Sequence, residues 1–305
     1  MAKEETGTRG EGQIKERFET GFDIRVRHVA VVVTVMLSFL ALYEIPSLRL
    51  LLSQPGSVSI VVAVAVTALV PAFLVSVYVR VSNPDEAVPV GVLVVVFCMG
   101  AVVAVLAGTL NGFVLGRFRA LSVFSLPLFF FLFVGPVEEL LKLVAVRLYP
   151  GARLDTATKY AVLGAFAGLG FAFSENIFYV LNNVVFGWEN AAGSVAGRSA
   201  VSPLHVMMTT VAGYYLGRSG LGAGNGLFAV VKGLTVVSVL HATYNTAVTV
   251  FENSSWTGSP AVEGVFLVLF FTAVVYAVEG LVRGTENDVS GTVNEDDRRR
   301  KRPAD

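Results

Sequence analysis

Glu138-Glu139-Leu140-Leu141-Lys142 places two adjacent carboxylates and a lysine inside an apolar run that extends from Val123 to Leu148. A carboxylate at bilayer depth costs about 3 kcal/mol even on lenient insertion scales, so such residues face a bundle interior or a water-filled cavity and mark function. On a helix Glu138 and Lys142 are an i,i+4 pair in the favourable order, while Glu139 points about 100° away from Glu138. The spacing predicts that Lys142 neutralises one carboxylate and leaves the other to a different partner. Later apolar runs carry Glu175-Asn176, His205, and the pair His241 and Asn245, which share a face one turn apart. A single intramembrane histidine is as often a helix-to-helix hydrogen bond as a functional group. Three glutamates, two histidines and an asparagine on four consecutive helices are harder to dismiss. They supply a general base, hydrogen-bond donors and metal ligands, the parts of a hydrolytic site. Lys232 lies about 9 Å from the end of its run and half a turn out of phase with His241, which assigns it to snorkelling.

These groups need membrane helices to hold them. With 54% hydrophobic residues, 15% charged and a mean hydropathy of +0.68 over 305 residues, the chain reads as all-α, a polytopic bundle of about eight transmembrane helices. The runs are about 28–44, 58–79, 88–110, 123–148, 159–185, 200–217, 227–250 and 262–282. This divides the chain into a polar tail (1–27), a transmembrane domain (28–282) whose motif-bearing core is about 123–250, and a second polar tail (283–305). The first 27 residues lack the apolar core and cleavage site of a signal peptide. Seventeen lysines and arginines fall in the tails and the even-numbered connections and four in the odd-numbered ones, which predicts a multi-pass protein of the cell membrane with both tails cytoplasmic. Residues 14–27 and Arg298 to Arg302 read as disordered topology determinants. Cys98 has no partner for a disulfide. Gly164, Gly168 and Ala172 recur every fourth residue in the fifth run. That small-residue stripe predicts a close seat for the fourth helix, which would carry Glu175 towards Glu138 and Glu139.

Several intramembrane chemistries are excluded. All seven aspartates lie outside the runs, so no aspartyl pair is present, and no His-Glu-x-x-His occurs. Gly217-Arg218-Ser219-Gly220 matches a short serine-protease pattern and precedes His241. Its serine falls at a loop edge instead of inside the bilayer, which argues against it.

At the glutamate and histidine positions the chain resembles the PrsW family of intramembrane proteases, relatives of the CPBP group that includes CAAX prenyl endopeptidases. The resemblance rests on Glu138-Glu139-x-x-Lys142, on Gly168-x-Gly170-Phe171-x-x-x-Glu175-Asn176, on Arg198 followed by His205, and on His241-x-x-x-Asn245. It implies a glutamate-dependent peptidase that cuts a membrane-anchored protein, with an anti-sigma factor as the best-known family target. It implies Glu138 as base with Glu139 or Lys142 setting its ionisation, and His241 and Asn245 as oxyanion donors. Glu175 stands where the CPBP relatives carry histidine, so His205 is expected to take that water-activating role. Asn176 and Arg198 support the set.

A proton-coupled transporter and a non-catalytic scaffold with the same fold are the rival readings. The expected partners are a single-span membrane protein substrate and lipid, with no nucleic acid. Hydrolysis is expected to need no metal, the alternative being zinc held by Glu138, Glu175, His205 and His241. Helix rise puts Glu175 and His241 roughly 20 Å from the inner surface, the Glu138 pair nearer the midplane and His205 near the outer surface. The pocket is therefore expected to open on the extracytoplasmic side.

Overall fold

The computed structural model describes residues 57–82, 88–119, 125–148, 154–184, 188–220, 226–253, 262 and 265–276. The elements are α1 Ser57–Val81, α2 Val90–Arg119, α3 Ser125–Phe129, a π-helical turn Phe130–Val134, α4 Gly135–Leu148, α5 Ala157–Val184, α6 Trp188–Gly220 and α7 Gly226–Asn253. α8, Val265–Tyr276, follows. The fold is an all-α membrane helix bundle. Among the described residues, three stretches are long and apolar enough to cross a bilayer, Val90–Leu115, Ala157–Val180 and Gly226–Phe251, and Leu69–Val81 and Val265–Tyr276 are shorter apolar segments. The expected run 28–44 and both tails lie outside the described residues.

One expected boundary is corrected. The sixth run was expected over 200–217 with a loop around Gly187 to Gly197, whereas α6 is continuous over 33 residues from Trp188. Glu189, Asn190 and Arg198 make its first turns too polar to read as a span, yet Arg198 is buried there by partners on α5. His205 consequently sits about 25 Å from the start of α6 and about 22 Å from its end. It sits in the middle of the helix.

The described residues divide into two compact units, parted between Thr243 and Tyr244. In the first, α5 is the central post. It packs against α6, α2, α1 and α4, and α4 also touches α2 and α6. Of the apolar span of α5, 67% is buried, against 33% for that of α2. Thr156 caps its start, Oγ1 accepting from the Lys159 N–H at 3.3 Å. Beside it the exposed Asp155 accepts from Lys159 Nζ at 2.7 Å, a hydrogen bond that holds its carboxyl below the usual range. Leu93 and Val96 of α2, Ala145 and Val146 of α4, and Leu163, Ala167 and Phe171 of α5 form one core. Ala72 of α1, Ala165 and Leu169 of α5, and Val206 of α6 form another.

In lipid, helices associate by close packing because the tails are as apolar as leucine, so small residues decide which faces meet. A Cβ on Gly168 would stand 2.6 Å from the backbone oxygen of His205, and one on Gly164 would strike the oxygen of Thr209. The Gly164/Gly168 stripe therefore seats α6, not the helix of the glutamate pair as expected. It is what brings His205 against α5.

The entry to α4 is also unusual. The Gly135 N–H bonds to the Phe130 carbonyl, the i−5 pattern of the π turn. A wide turn just before Pro136 suits a residue with no N–H to give and a ring that crowds the preceding turn. A Cβ on Gly135 would stand 2.6 Å from the oxygen of Ser238, so glycine here lets α7 lie against the start of α4. In the second unit, the end of α7 and α8 meet through rings, Phe251 with Phe266 at 5.2 Å and Tyr244 with Phe270 at 6.0 Å.

Candidate active site

The close approach of Gly135 to Ser238 sets Glu139 opposite His241, three residues further along α7. Oε1 of the fully buried Glu139 accepts from Lys142 Nζ at 2.7 Å and lies 2.8 Å from His241 Nδ1. Lys142, also fully buried, is 2.9 Å from His205 Nδ1, 4.1 Å from the centre of the Phe171 ring and 3.8 Å from Glu138 Oε2. Lys142 hydrogen-bonds Glu139, its i,i+3 neighbour, and stands farther from the i,i+4 partner Glu138. Phe171 and His205, from α5 and α6, hold the ammonium on that side. Glu138 is turned elsewhere: its Oε1 accepts from Asn111 Nδ2 of α2 at 2.8 Å, and its Oε2 stands 3.6 Å from His241 Nε2.

Proton positions follow from these partners. A carboxylate only accepts, so His241 carries its proton on Nδ1 and presents Nε2 as a lone pair. An ammonium only donates, so His205 Nδ1 accepts and its proton lies on Nε2, 2.8 Å from Glu175 Oε2. That contact is close but off the line of a hydrogen bond. The two imidazoles meet edge to face with centres 5.4 Å apart.

A second polar group adjoins the first through Glu175. Arg198 of α6 donates from Nη2 to Glu175 Oε2 at 2.5 Å and from Nε to Asn176 Oδ1 at 2.8 Å, with its guanidinium 4.4 Å over the Tyr179 ring. Asn176 donates from Nδ2 to Ser202 Oγ at 3.0 Å, and Ser202 donates to the Arg198 carbonyl at 2.6 Å.

Of the residues singled out in the sequence, Glu138, Glu139, Lys142, Glu175, Asn176, Arg198, His205 and His241 are drawn into these two groups. Asn245 lies in the second unit, one turn past His241 and half-buried, its carbonyl accepting from Thr249. Glu175 does not contact Glu138 or Glu139 directly. Ser219 donates to the Leu216 carbonyl at the end of α6, while His241 Nδ1 is committed to Glu139; no serine dyad forms. Lys232 is exposed and its Nζ sits 5.7 Å from the centre of the Tyr215 ring, the peripheral role expected. Asn111, Ser202 and Tyr179 were missed. Asn111 escaped because the third run was ended at residue 110, whereas α2 continues to Arg119.

Among the described residues, four of the seven buried side-chain polar atoms without a hydrogen-bond partner belong to this group: Oε2 of Glu138, Oε2 of Glu139, Nε2 of His205 and Oδ1 of Asn111, the others being on Tyr214, Ser238 and Thr246. Three of these four are acceptors only, and an acceptor in that condition suits a donor or a cation. Ligand atoms of Glu138, His205 and His241 lie within 4.8 Å of one another. The 3.6 Å between Glu138 Oε2 and His241 Nε2 is close to the edge of a tetrahedron with metal bonds of about 2.1 Å. Glu139, bonded to His241 Nδ1, would be the outer carboxylate that fixes this imidazole if its Nε2 held a metal. Glu138 and His241 thus fit a divalent cation as they stand. His205 fits once Nε2 releases its proton, which requires its contact with Lys142 to rearrange. Glu175, expected as a fourth ligand, is engaged by Arg198.

The profile described as "PrsW family intramembrane metalloprotease" matches residues 88–278. A curated relative, Protease PrsW of Bacillus subtilis (strain 168), is 36% identical over 129 residues, which is 40% of this chain and 55% of that protein. The chain therefore matches about half the length of that relative. No solved structure matches it. The matched segment runs from the start of α2 to the end of α8 and contains both polar groups, and the chain belongs to the PrsW family.

Proposed function

We propose that the chain is an intramembrane endopeptidase that hydrolyses a peptide bond of a single-span membrane protein at the Glu138–His205–His241 centre. The observation that carries this is the buried Glu138 Oε2, which has no hydrogen bond and faces the lone pair of His241 Nε2 across 3.6 Å. A water seated there gives its proton to Glu138 as its oxygen adds to the scissile carbonyl, and Glu138 returns that proton to the leaving amine. Glu139, clamped by Lys142, keeps the His241 imidazole in the required tautomer. His205 borders the same space and is the donor nearest the developing oxyanion.

With the His205 proton moved, the three side chains also fit a divalent cation, and the family's description as metalloproteases supports one here in place of the metal-free site expected. When bound, such an ion would act as a Lewis acid and ionise its water near neutral pH. Zinc content of the purified protein decides the point. About one equivalent, lost in His241→Ala, supports a resident metal, while full activity in metal-free protein removes it.

The charge imbalance supports cytoplasmic tails, and the path of polar residues supports an extracytoplasmic opening. Beyond His205 that path continues through Glu175, Arg198 and Asn176 towards the end of α5 and the start of α6, whereas the first half of α5 buries only apolar and small groups. A reporter fused after Arg283 should read cytoplasmic, and the new terminus of a cut substrate should map near its outer boundary. An anti-sigma-factor-like regulator has the expected single-span form. The deciding test of activity is Glu138→Gln. Cleavage of a single-span substrate should fall at least about 100-fold with the protein still folded in the membrane, and undiminished cleavage would remove the proposal.

A further inference from the structure

We infer that Asn111 is a substrate-binding residue: its Oδ1 accepts a backbone N–H of the segment being cut while its Nδ2 holds Glu138. This rests on the peptidase reading above. Asn111 stands on α2, away from the glutamate and histidine motifs. Its Nδ2 donates to Glu138 Oε1 at 2.8 Å, leaving Oε2 of the same carboxylate for the water. The other end of the amide, Oδ1, is buried and has no partner. A polar atom kept in that condition calls for a donor.

The surroundings say which donor. Thr109, Leu110, Gly112 and Phe113 are exposed, so Asn111 is the half-buried polar side chain on a stretch of α2 that otherwise faces outward. Gly108, one turn earlier on nearly the same face, has open space: a Cβ there would meet nothing within 4 Å. A substrate helix must unwind before its peptide bond can be cut. In lipid each freed N–H needs an acceptor from protein, because water is scarce. Asn111 offers one beside the attacking carboxylate, at the edge where a segment from the bilayer would arrive. The two ends of one amide thereby tie the seating of the substrate to the orientation of Glu138.

The test uses the full-length protein in nanodiscs, a His241→Ala background that binds without cutting, and a fluorescent synthetic single-span peptide with a glycine-rich outer segment. Its backbone N–H groups are replaced by ester oxygens one position at a time. Asn111→Leu should weaken binding about tenfold, the value of one hydrogen bond. One ester position should weaken binding to the parent by a similar factor and have no effect on the Asn111→Leu protein. Equal binding by Asn111→Leu, or ester losses of the same size in both proteins, would overturn the inference. Asn111→Ala serves the same comparison if Asn111→Leu fails to accumulate. Failure of the peptidase reading shows separately, as an unaltered protein that binds the peptide and never cuts it.

Discussion

The centre around Glu138 and the network around Arg198 are built from the same kinds of group, yet they are finished differently. In the Arg198 network the donors and acceptors described are matched: guanidinium to Glu175 and Asn176, amide to Ser202, hydroxyl to carbonyl. In the centre, Glu138, Glu139 and His205 each keep a buried atom without a hydrogen bond. Burying such atoms is costly, so a concentration of them on interacting side chains calls for something that completes them. The matched network holds α5 and α6 together, whereas the centre keeps acceptors and a donor that its own side chains do not satisfy. Glu175 Oε2 is the hinge between the two, contacting both Arg198 Nη2 and His205 Nε2.

This contrast separates activity from stability, and Glu138→Gln is its largest expected effect. Glutamine keeps an oxygen for Asn111 Nδ2 and removes the base. Turnover should drop by a factor of about 100 to 10,000, while the thermal unfolding midpoint in detergent stays within a few degrees. A fall in both together would make Glu138 a structural residue and erase the distinction.

Lys142 tests the opposite case, a group inside the centre that has been completed. It is fully buried against Glu139, His205 and Phe171. Removing one partner of a buried pair leaves the other charge stranded, at about 3 to 5 kcal/mol. Lys142→Met should therefore accumulate poorly or unfold early, and Lys142→Met with Glu139→Gln should recover part of the loss. If Lys142→Met alone unfolds at the normal temperature, the clamp on Glu139 is not what stabilises α4.

How much of this was legible beforehand follows from what each residue depends on. Glu138, Glu139, Glu175, His205 and His241 announce themselves because charge in an apolar run is expensive wherever the helix ends up. The partner of Lys142 did not, since i,i+3 and i,i+4 neighbours differ by a rotamer, and the choice is made by Phe171 and His205 from other helices. The Gly164/Gly168 stripe announced a close contact without naming its occupant, which proved to be α6. Arg198 misled outright: its charge made the sixth run begin late, while Glu175, Asn176 and Tyr179 bury it inside a continuous helix. Asn111 is weakly polar at a run's edge, and only the position of α4 gives it a role.

Arg198→Lys probes the matched network with a smaller perturbation. Lysine keeps the charge and loses the fork that reaches Glu175 and Asn176 together. The expected cost is about 1 to 3 kcal/mol of stability, with turnover kept within about tenfold of the parent because the Glu138–His241 pair is untouched. A loss of turnover as deep as that of Glu138→Gln, in protein of normal stability, would move Arg198 from the frame into the chemistry.

The smallest effect concerns the seat beneath the centre. Gly168 lets α6 approach so closely that an added Cβ would lie 2.6 Å from the His205 oxygen and 2.9 Å from the Val206 Cα, both backbone atoms that cannot rotate away. Gly168→Ala must therefore displace α6, at about 1 to 3 kcal/mol, and His205 moves with it while the Glu138–Asn111 and Glu139–His241 bonds remain. Stability should fall modestly, and turnover should fall more than stability predicts because one donor of three has shifted. Gly108 is the control, since its Cβ would meet nothing within 4 Å, and Gly108→Ala should leave the unfolding midpoint unchanged or slightly raised. Equal midpoints for the two variants would mean that α6 tolerates a step back from α5, and that His205 is held by Lys142 and Glu175 instead of by the glycine seat.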